Sequence, residues 1–302
     1  MNKNKRQKRG YQHMNITGHT RLTALLGSPV SHSISPLMHN EAFRILGLDY
    51  VYLCFDVKED ALPKAVSGLK NCGIRGFNLT MPNKNKIVEL LDELSPAAQL
   101  IGAVNTVVNE NGRLIGYNTD GVGYMQAARD AGYDLTGKTI TLMGAGGAAT
   151  AIIAQAALDG VKNIHIFART TSRFHKRIQA LADTINASLP CCVSLHDNDD
   201  KVALKKALDE SFLLINATSV GMAPNTDASI LTDTSLLRPE LIVSDVIYNP
   251  QETKLLCDAK KAGCRTFNGM YMLLYQGAEA FKLWTGQEMP VAEIKAKYFS
   301  GV

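Results

Sequence analysis

A short glycine-rich run carries the clearest chemistry in the chain. Gly144-Ala145-Gly146-Gly147-Ala148-Ala149 fits the pattern G-x-G-x-x-A, directly after the apolar run Thr139 to Met143 and at the head of the apolar segment Ala148 to Leu158. In a strand–turn–helix context, this spacing binds a dinucleotide. The first glycine makes the tight turn, the second lets backbone approach a pyrophosphate, and the small Ala149 lets the helix pack on the strand. The helix N-terminus then offers unpaired N–H groups and the positive end of its dipole to phosphate. Without that context the run would be an ordinary glycine-rich turn.

The end of the next strand selects the dinucleotide. An NAD site usually carries Asp or Glu there, accepting hydrogen bonds from the ribose hydroxyls. No acidic residue lies between Asp159 and Asp183, and the stretch reads Ala168-Arg169-Thr170-Thr171-Ser172-Arg173. Guanidinium groups and hydroxyls suit a 2′-phosphate, because Arg makes paired, charge-assisted hydrogen bonds to phosphate. The residues therefore favour NADP, with NAD left open. A solvated basic helix start, continued by Lys176 and Arg177, is the plainer reading of the two arginines.

Three further stretches place hydroxyls, amides or a Lys/Asp pair at the ends of predicted strands. They are Gly27 to Asn40, which holds Ser33 and Ser35; Asn78 to Lys84, which holds Thr80; and Gly102 to Thr106 followed by Gly116 to Gly121, which hold Asn105 and Asp120. In open α/β folds, ligands sit at such strand ends. Each residue also has a structural reading. Lys84 and Asp120 could be a surface salt bridge, Ser35 a helix cap, Asn105 and Tyr248 satisfied core polar groups, and Gln276 a helix-surface residue. The seven histidines show no metal-ligand spacing, so no metal is expected.

The elements that must position these residues alternate in the manner of an α/β protein. Strands are predicted at Leu22–Leu26, Tyr50–Phe55, Gly76–Leu79, Val104–Val108 and Leu114–Tyr117, the last two bracketing a hairpin turn at Asn111-Gly112. Helices are predicted at Ser35–Leu46, with Ser35 as N-cap and Pro36 in the first turn, and at Pro63–Lys70, Asn85–Leu91 and Asp120–Ala131. From Thr139 a parallel βα pattern runs to Asp245. Helices near Thr253–Ala262 and Met272–Trp284 and a short C-terminal one follow. The expected layout is an N-terminal α/β substrate domain (21–119 and 251–302) and a Rossmann-type, doubly wound parallel-sheet domain (120–250). The C-terminal helices return to the first domain.

Composition excludes several classes. Hydrophobic residues at 46% and charged residues at 20% are the balance of a globular chain. No apolar run approaches the roughly 20 residues that span a bilayer, so no membrane partner is expected. Much of the net charge of +4 comes from Lys3, Lys5, Arg6, Lys8 and Arg9, read as a disordered basic tail over 1–20 rather than a nucleic-acid contact. Six scattered cysteines without zinc-type pairs point to reduced thiols in the cytoplasm.

Taken together, these segments closely resemble the shikimate dehydrogenase family, over about Leu22 to Gly286. Met81-Pro82-Asn83-Lys84, Tyr248-Asn249-Pro250, Gln276-Gly277-Ala278-Glu279 and Leu283-Trp284-Thr285-Gly286 look most like its quinate/shikimate dehydrogenase branch. The resemblance implies an oxidoreductase of aromatic amino acid (chorismate) biosynthesis acting on shikimate and 3-dehydroshikimate. In it Lys84 and Asp120 form the catalytic pair. Ser33 and Ser35 bind the substrate carboxylate, and Thr80, Asn105, Tyr248 and Gln276 hold the carboxylate and ring hydroxyls. Gly144, Ala145, Gly146, Gly147, Ala148, Ala149, Ala168, Arg169, Thr170, Thr171, Arg173, Ser219, Val246 and Gly269 line the cofactor. Two departures stand out. The branch is associated with NAD and an acid where Thr171 stands, so the residues and the resemblance pull apart on the cofactor. Tyr271 replaces a second glycine near Gly269 and is expected to narrow the nicotinamide side. An NAD-linked, catabolic quinate/shikimate dehydrogenase remains the rival. A dinucleotide-sensing module is the distant one, and a homodimer stays open.

Overall fold

The computed structural model describes residues 16–299. The basic run Lys3 to Arg9 lies outside the described residues, so the expected tail is untested there. Residues 16–20 lie largely exposed but are tied to the fold at one point. The Thr17 and Thr20 hydroxyls donate to the Asp49 carboxylate at 3.1 and 2.5 Å.

The first sheet is mixed. Strands β1 (Arg21–Gly27), β2 (Tyr50–Asp56), β3 (Gly76–Leu79), β4 (Glu93–Leu94), β5 (Thr106–Glu110) and β6 (Arg113–Tyr117) lie in the order β2-β1-β3-β5-β6-β4. β1 runs parallel to β2 and β3, while β3–β5 and β5–β6 are antiparallel. The β5–β6 turn holds Asn111 and Gly112 at φ 54° and 90°, the positive pair that a tight hairpin favours. Helices α1 (Ser35–Leu46), α2 (Leu62–Asn71) and α3 (Pro96–Ile101) connect the strands.

Helix α4 (Asp120–Asp130) then crosses to a second sheet. Strands β7 (Thr139–Met143), β8 (Asn163–Phe167), β9 (Cys192–His196), β10 (Leu213–Asn216), β11 (Ile242–Asp245) and β12 (Arg265–Phe267) are all parallel, in the order β12-β11-β10-β7-β8-β9. The chain steps outward from β7 in one direction and from β10 in the other, so the order reverses between them. A doubly wound sheet opens its ligand crevice at that point. The intervening helices are α5 (Gly147–Leu158), α6 (His175–Ser188), α7 (Lys201–Glu210) and α8 (Lys254–Lys261), followed by α9 (Met270–Thr285) and α10 (Val291–Tyr298). β10 and β11 are buried at every residue, as expected of strands covered on both faces.

The two units share helices. Trp284 of α9 is buried against the first sheet, donating its indole N–H to the Val107 carbonyl at 3.0 Å. α4 lies between α5 and α9 at unusually short range. A Cβ on Gly121 would stand 2.3 Å from the Ala151 carbonyl oxygen, and one on Gly123 would stand 2.6 Å from the Gln276 nitrogen.

Several expectations need correction. Ser35 does not cap α1. Ile34 is the N-cap with no side-chain cap, Ser35 is already in the first turn, and the Ser33 hydroxyl accepts from the Ser35 N–H at 3.2 Å. Residues 86–90 form a 3₁₀ turn rather than a helix over 85–91. β4, α3 and β12 were not expected. β4 and β12 have two and three residues, too few to show alternation, whereas α3 had a legible start in Ser95-Pro96. Because β12 adds to the second sheet, the return to the first unit follows Phe267, later than the boundary expected at 250.

Candidate active site

Two cavities open at the crevice, and they meet. One, of about 600 Å³, runs over the glycine loop. The other, of about 480 Å³, lies at the C-terminal ends of β1 and β3 and contains Ser33, Ser35, Thr80, Lys84, Asn105, Asp120 and Gln276. Ala148, Val246 and Tyr248 line both.

The centre of the second cavity is a directed hydrogen-bond chain. Lys84 leaves the turn after β3, and its ammonium meets Asp120 Oδ2 at 2.6 Å. Asp120 opens α4, where the helix dipole favours a carboxylate, and its N–H donates to Asn118 Oδ1 at 3.2 Å. Its other oxygen accepts from Asn105 Nδ2 at 2.8 Å. Asn105 is itself pinned, because its Oδ1 accepts from the Thr119 N–H at 2.8 Å and the Thr106 hydroxyl at 3.0 Å. Its Nδ2 is 3.5 Å from Gln276 Oε1 on α9. Asn78 Nδ2 supports Thr106 at 2.9 Å, and the Tyr52 phenol donates to Asn78 Oδ1 at 2.8 Å. Burial holds the Tyr52 phenol well above its usual pKa, so it remains a donor at physiological pH. Lys84 and Asp120 stay 31% and 16% exposed, enough to face a ligand and to exchange a proton.

The glycine loop is built for close approach. Gly144 has φ 132°, and a Cβ there would stand 2.7 Å from the Ala217 carbonyl oxygen beyond β10. Gly146 and Gly147 have open space where their Cβ atoms would be, and they line the first cavity. Ala145, Ala148, Ala168, Arg169, Ser219 and Val246 line it as well. Ala149 does not. It is fully buried, consistent with packing of helix on strand. Thr170, Thr171 and Arg173 also fall outside the lining. The Thr170 N–H is turned to Asp197 Oδ2 at 2.8 Å, and the Arg173 guanidinium lies 4.6 Å from the Phe174 ring centre. Gly269 lines the second cavity rather than the first, and Tyr271 lines neither, lying under the Lys295 ammonium at 3.9 Å. Asp245 anchors the junction. Its carboxylate accepts from the Ile247 N–H, Asn216 and Thr253, and burial pushes its pKa up.

A shikimate dehydrogenase (NADP(+)) of Listeria monocytogenes serotype 4b (strain F2365) is 52% identical over 284 residues, covering 94% of this chain and 97% of that protein. The chain belongs to the shikimate dehydrogenase family. Two family models match, the shikimate dehydrogenase substrate binding domain at residues 25–107 and the shikimate 5′-dehydrogenase C-terminal domain at 269–297. The crystal structure of shikimate 5-dehydrogenase from Listeria monocytogenes in complex with shikimate and NAD superposes with a TM-score of 0.91 at 52% identity, covering 93% of this chain and 97% of that one. A shikimate dehydrogenase in complex with NADP+ is 42% identical, with a TM-score of 0.83 and coverage of 95% and 97%.

Some lining residues escaped the sequence. Asn198, after β9, lines the first cavity with a buried Oδ1 that has no partner, and it sits close to Arg169 only in three dimensions. Asp197, its neighbour, is an acid beside the stretch after β8 but is not itself in the lining. It is engaged by the Asp199 and Thr170 N–H groups, which hold its pKa below the usual carboxylate range. Tyr298 and Phe299 line the second cavity from the far end of the chain. No sequence motif marks any of these four. Among the described residues no helix is long and apolar enough to cross a membrane.

Proposed function

We propose that this protein is a shikimate dehydrogenase that catalyses the reversible NADPH-dependent reduction of 3-dehydroshikimate to shikimate, in aromatic amino acid biosynthesis. The observation that carries the reading is the Lys84–Asp120 contact at 2.6 Å, in a hydroxyl- and amide-lined cavity that joins the dinucleotide cavity at Ala148, Val246 and Tyr248. The open cradle at Gly146 and Gly147 fits a pyrophosphate, and Arg169 at its rim fits a 2′-phosphate. The bound nicotinamide supplies the hydride that passes to or from the substrate's carbonyl carbon.

The chain's own residues supply orientation and the proton. Ser33 and Ser35 take the substrate carboxylate, and Thr80, Asn105, Tyr248 and Gln276 take the ring hydroxyls. The Lys84 ammonium polarises the carbonyl and protonates the forming alkoxide. In the oxidative direction the neutral amine accepts the hydroxyl proton. Asp120 holds the Lys84 ammonium in place, and Asn105 fixes the rotamer of Asp120. All six cysteines are free, which supports a reducing compartment such as the cytoplasm.

The test is a kinetic matrix of shikimate and quinate against NADP+ and NAD+. The expected result is turnover of shikimate with kcat/KM higher for NADP+ than for NAD+. No turnover of shikimate overturns the reading. A higher kcat/KM with NAD+ overturns the role given to Arg169.

A further inference from the structure

The C-terminal helix contributes a wall of the substrate cavity that the proposed chemistry leaves without a role. α10 ends at Tyr298, and both Tyr298 and Phe299 line the cavity that holds Ser33 and Ser35. Phe299 is only 2% exposed and belongs to one apolar cluster with Val30, against which Ile34 and Leu273 also pack. The helix is tied down at two points. Lys295 meets Asp130 of α4 at 2.7 Å, and Lys297 meets Glu41 at 2.7 Å on α1, the helix that begins at Ser35. A wall so anchored has a fixed position relative to the two serines.

We propose that Phe299, backed by Tyr298, is a specificity-determining residue, facing the carboxylate-bearing carbon of the ring and favouring a substrate in which that carbon is planar and unhydroxylated. The inference rests on the proposed reduction of 3-dehydroshikimate and refines it. A tetrahedral carbon carrying a hydroxyl would turn that hydroxyl toward the Phe299 ring, which offers no hydrogen-bond partner. An apolar wall rejects an added hydroxyl only modestly, by on the order of 10²-fold. The selectivity is therefore finite and movable by one side chain.

The experiment compares kcat/KM for shikimate and for quinate, whose carboxylate-bearing carbon is tetrahedral and hydroxylated, in the wild type, Phe299→Ala and Phe299→Leu. In Phe299→Ala the shikimate-to-quinate ratio falls about tenfold, the low end of what one methylene in a pocket is worth. Phe299→Leu falls part-way, and the Kd for NADP+, read by fluorescence titration, is unchanged in both. If Phe299→Ala does not fold, the volume-conserving Phe299→Leu decides. A ratio within twofold of wild type in the folded variants overturns the proposal, and so does a wild type that prefers quinate. A wild type that turns over neither acid instead defeats the reduction reading itself.

Discussion

At the scale of single residues, the site depends on two charged groups held by neutral ones. Among the described residues the Lys84 ammonium pairs with Asp120, and Asp120 takes its orientation from Asn105. Lys84→Ala is expected to lower kcat by about 10²–10⁴-fold, the usual worth of a positioned general acid–base, while the Kd for NADP+ stays constant. Unchanged turnover would remove Lys84 from the mechanism. Arg169 is a separable case, since it lines only the dinucleotide cavity. Replacing it by Ala should raise the KM for NADP+ by about tenfold or more, the loss of one charge-assisted contact, and leave the KM for NAD+ nearly unchanged. Equal losses for both cofactors would argue that Arg169 shapes the loop instead. Lys84 and Arg169 were legible as candidates because each sits in a local motif, and the structure places each in the lining of a cavity. Asn198 was not, because its place beside Arg169 arises from the pairing of β8 with β9.

Helix α4 is the element on which the site turns. It begins at Asp120 and runs between α5 and α9, so its backbone sets how closely the Gln276 segment of α9 approaches. Gly121 and Gly123 permit that approach, each facing backbone of a neighbouring helix. Gly123→Val should cost about 1–3 kcal/mol through overpacking. It should also raise the KM for shikimate more than the Kd for NADP+, since α9 carries Gln276 and the glycine loop stands elsewhere. Thermal melting with the two binding measurements checks this, and equal effects on both ligands would count against it. The helix itself was readable from Asp120 to Ala131, and the structure ends it at Asp130. Its partners were not, since a helical pattern states which face is buried and not what covers it.

At the scale of the whole molecule, acid stability depends on buried and paired groups outside the Lys84–Asp120 contact. His39 is fully buried among Phe43, Tyr52, Phe281 and Trp284, with neither ring nitrogen hydrogen-bonded, and burial pushes its pKa down to about 3 from 6.5. The unfolded chain binds a proton there below pH 6.5 and the folded chain does not, so stability falls as pH drops from 6.5 toward 3. Glu41, held to about 2 from 4.5 chiefly by the Arg44 guanidinium, adds a loss of stability as pH falls from 4.5 toward 2. His39→Phe should flatten the pH dependence of Tm between pH 6.5 and 4.5 and leave the steeper loss below it. Parallel Tm curves for the two proteins over that upper range would refute the account.

The sequence by itself determined the features set within a few residues. These are the glycine loop between an apolar strand and an apolar helix, the span of α1, the Asn111-Gly112 turn, and the alternation that makes an α/β chain. Local periodicity, turn residues and backbone sterics encode all of them. Tertiary structure alone decided which distant segments meet. Asn105 and Gln276 touch across 171 positions, β12 joins the second sheet, and Phe299 closes the cavity that Ser33 opens. Sheet order and the burial of shared apolar faces govern those contacts, and no short window of the chain contains both partners.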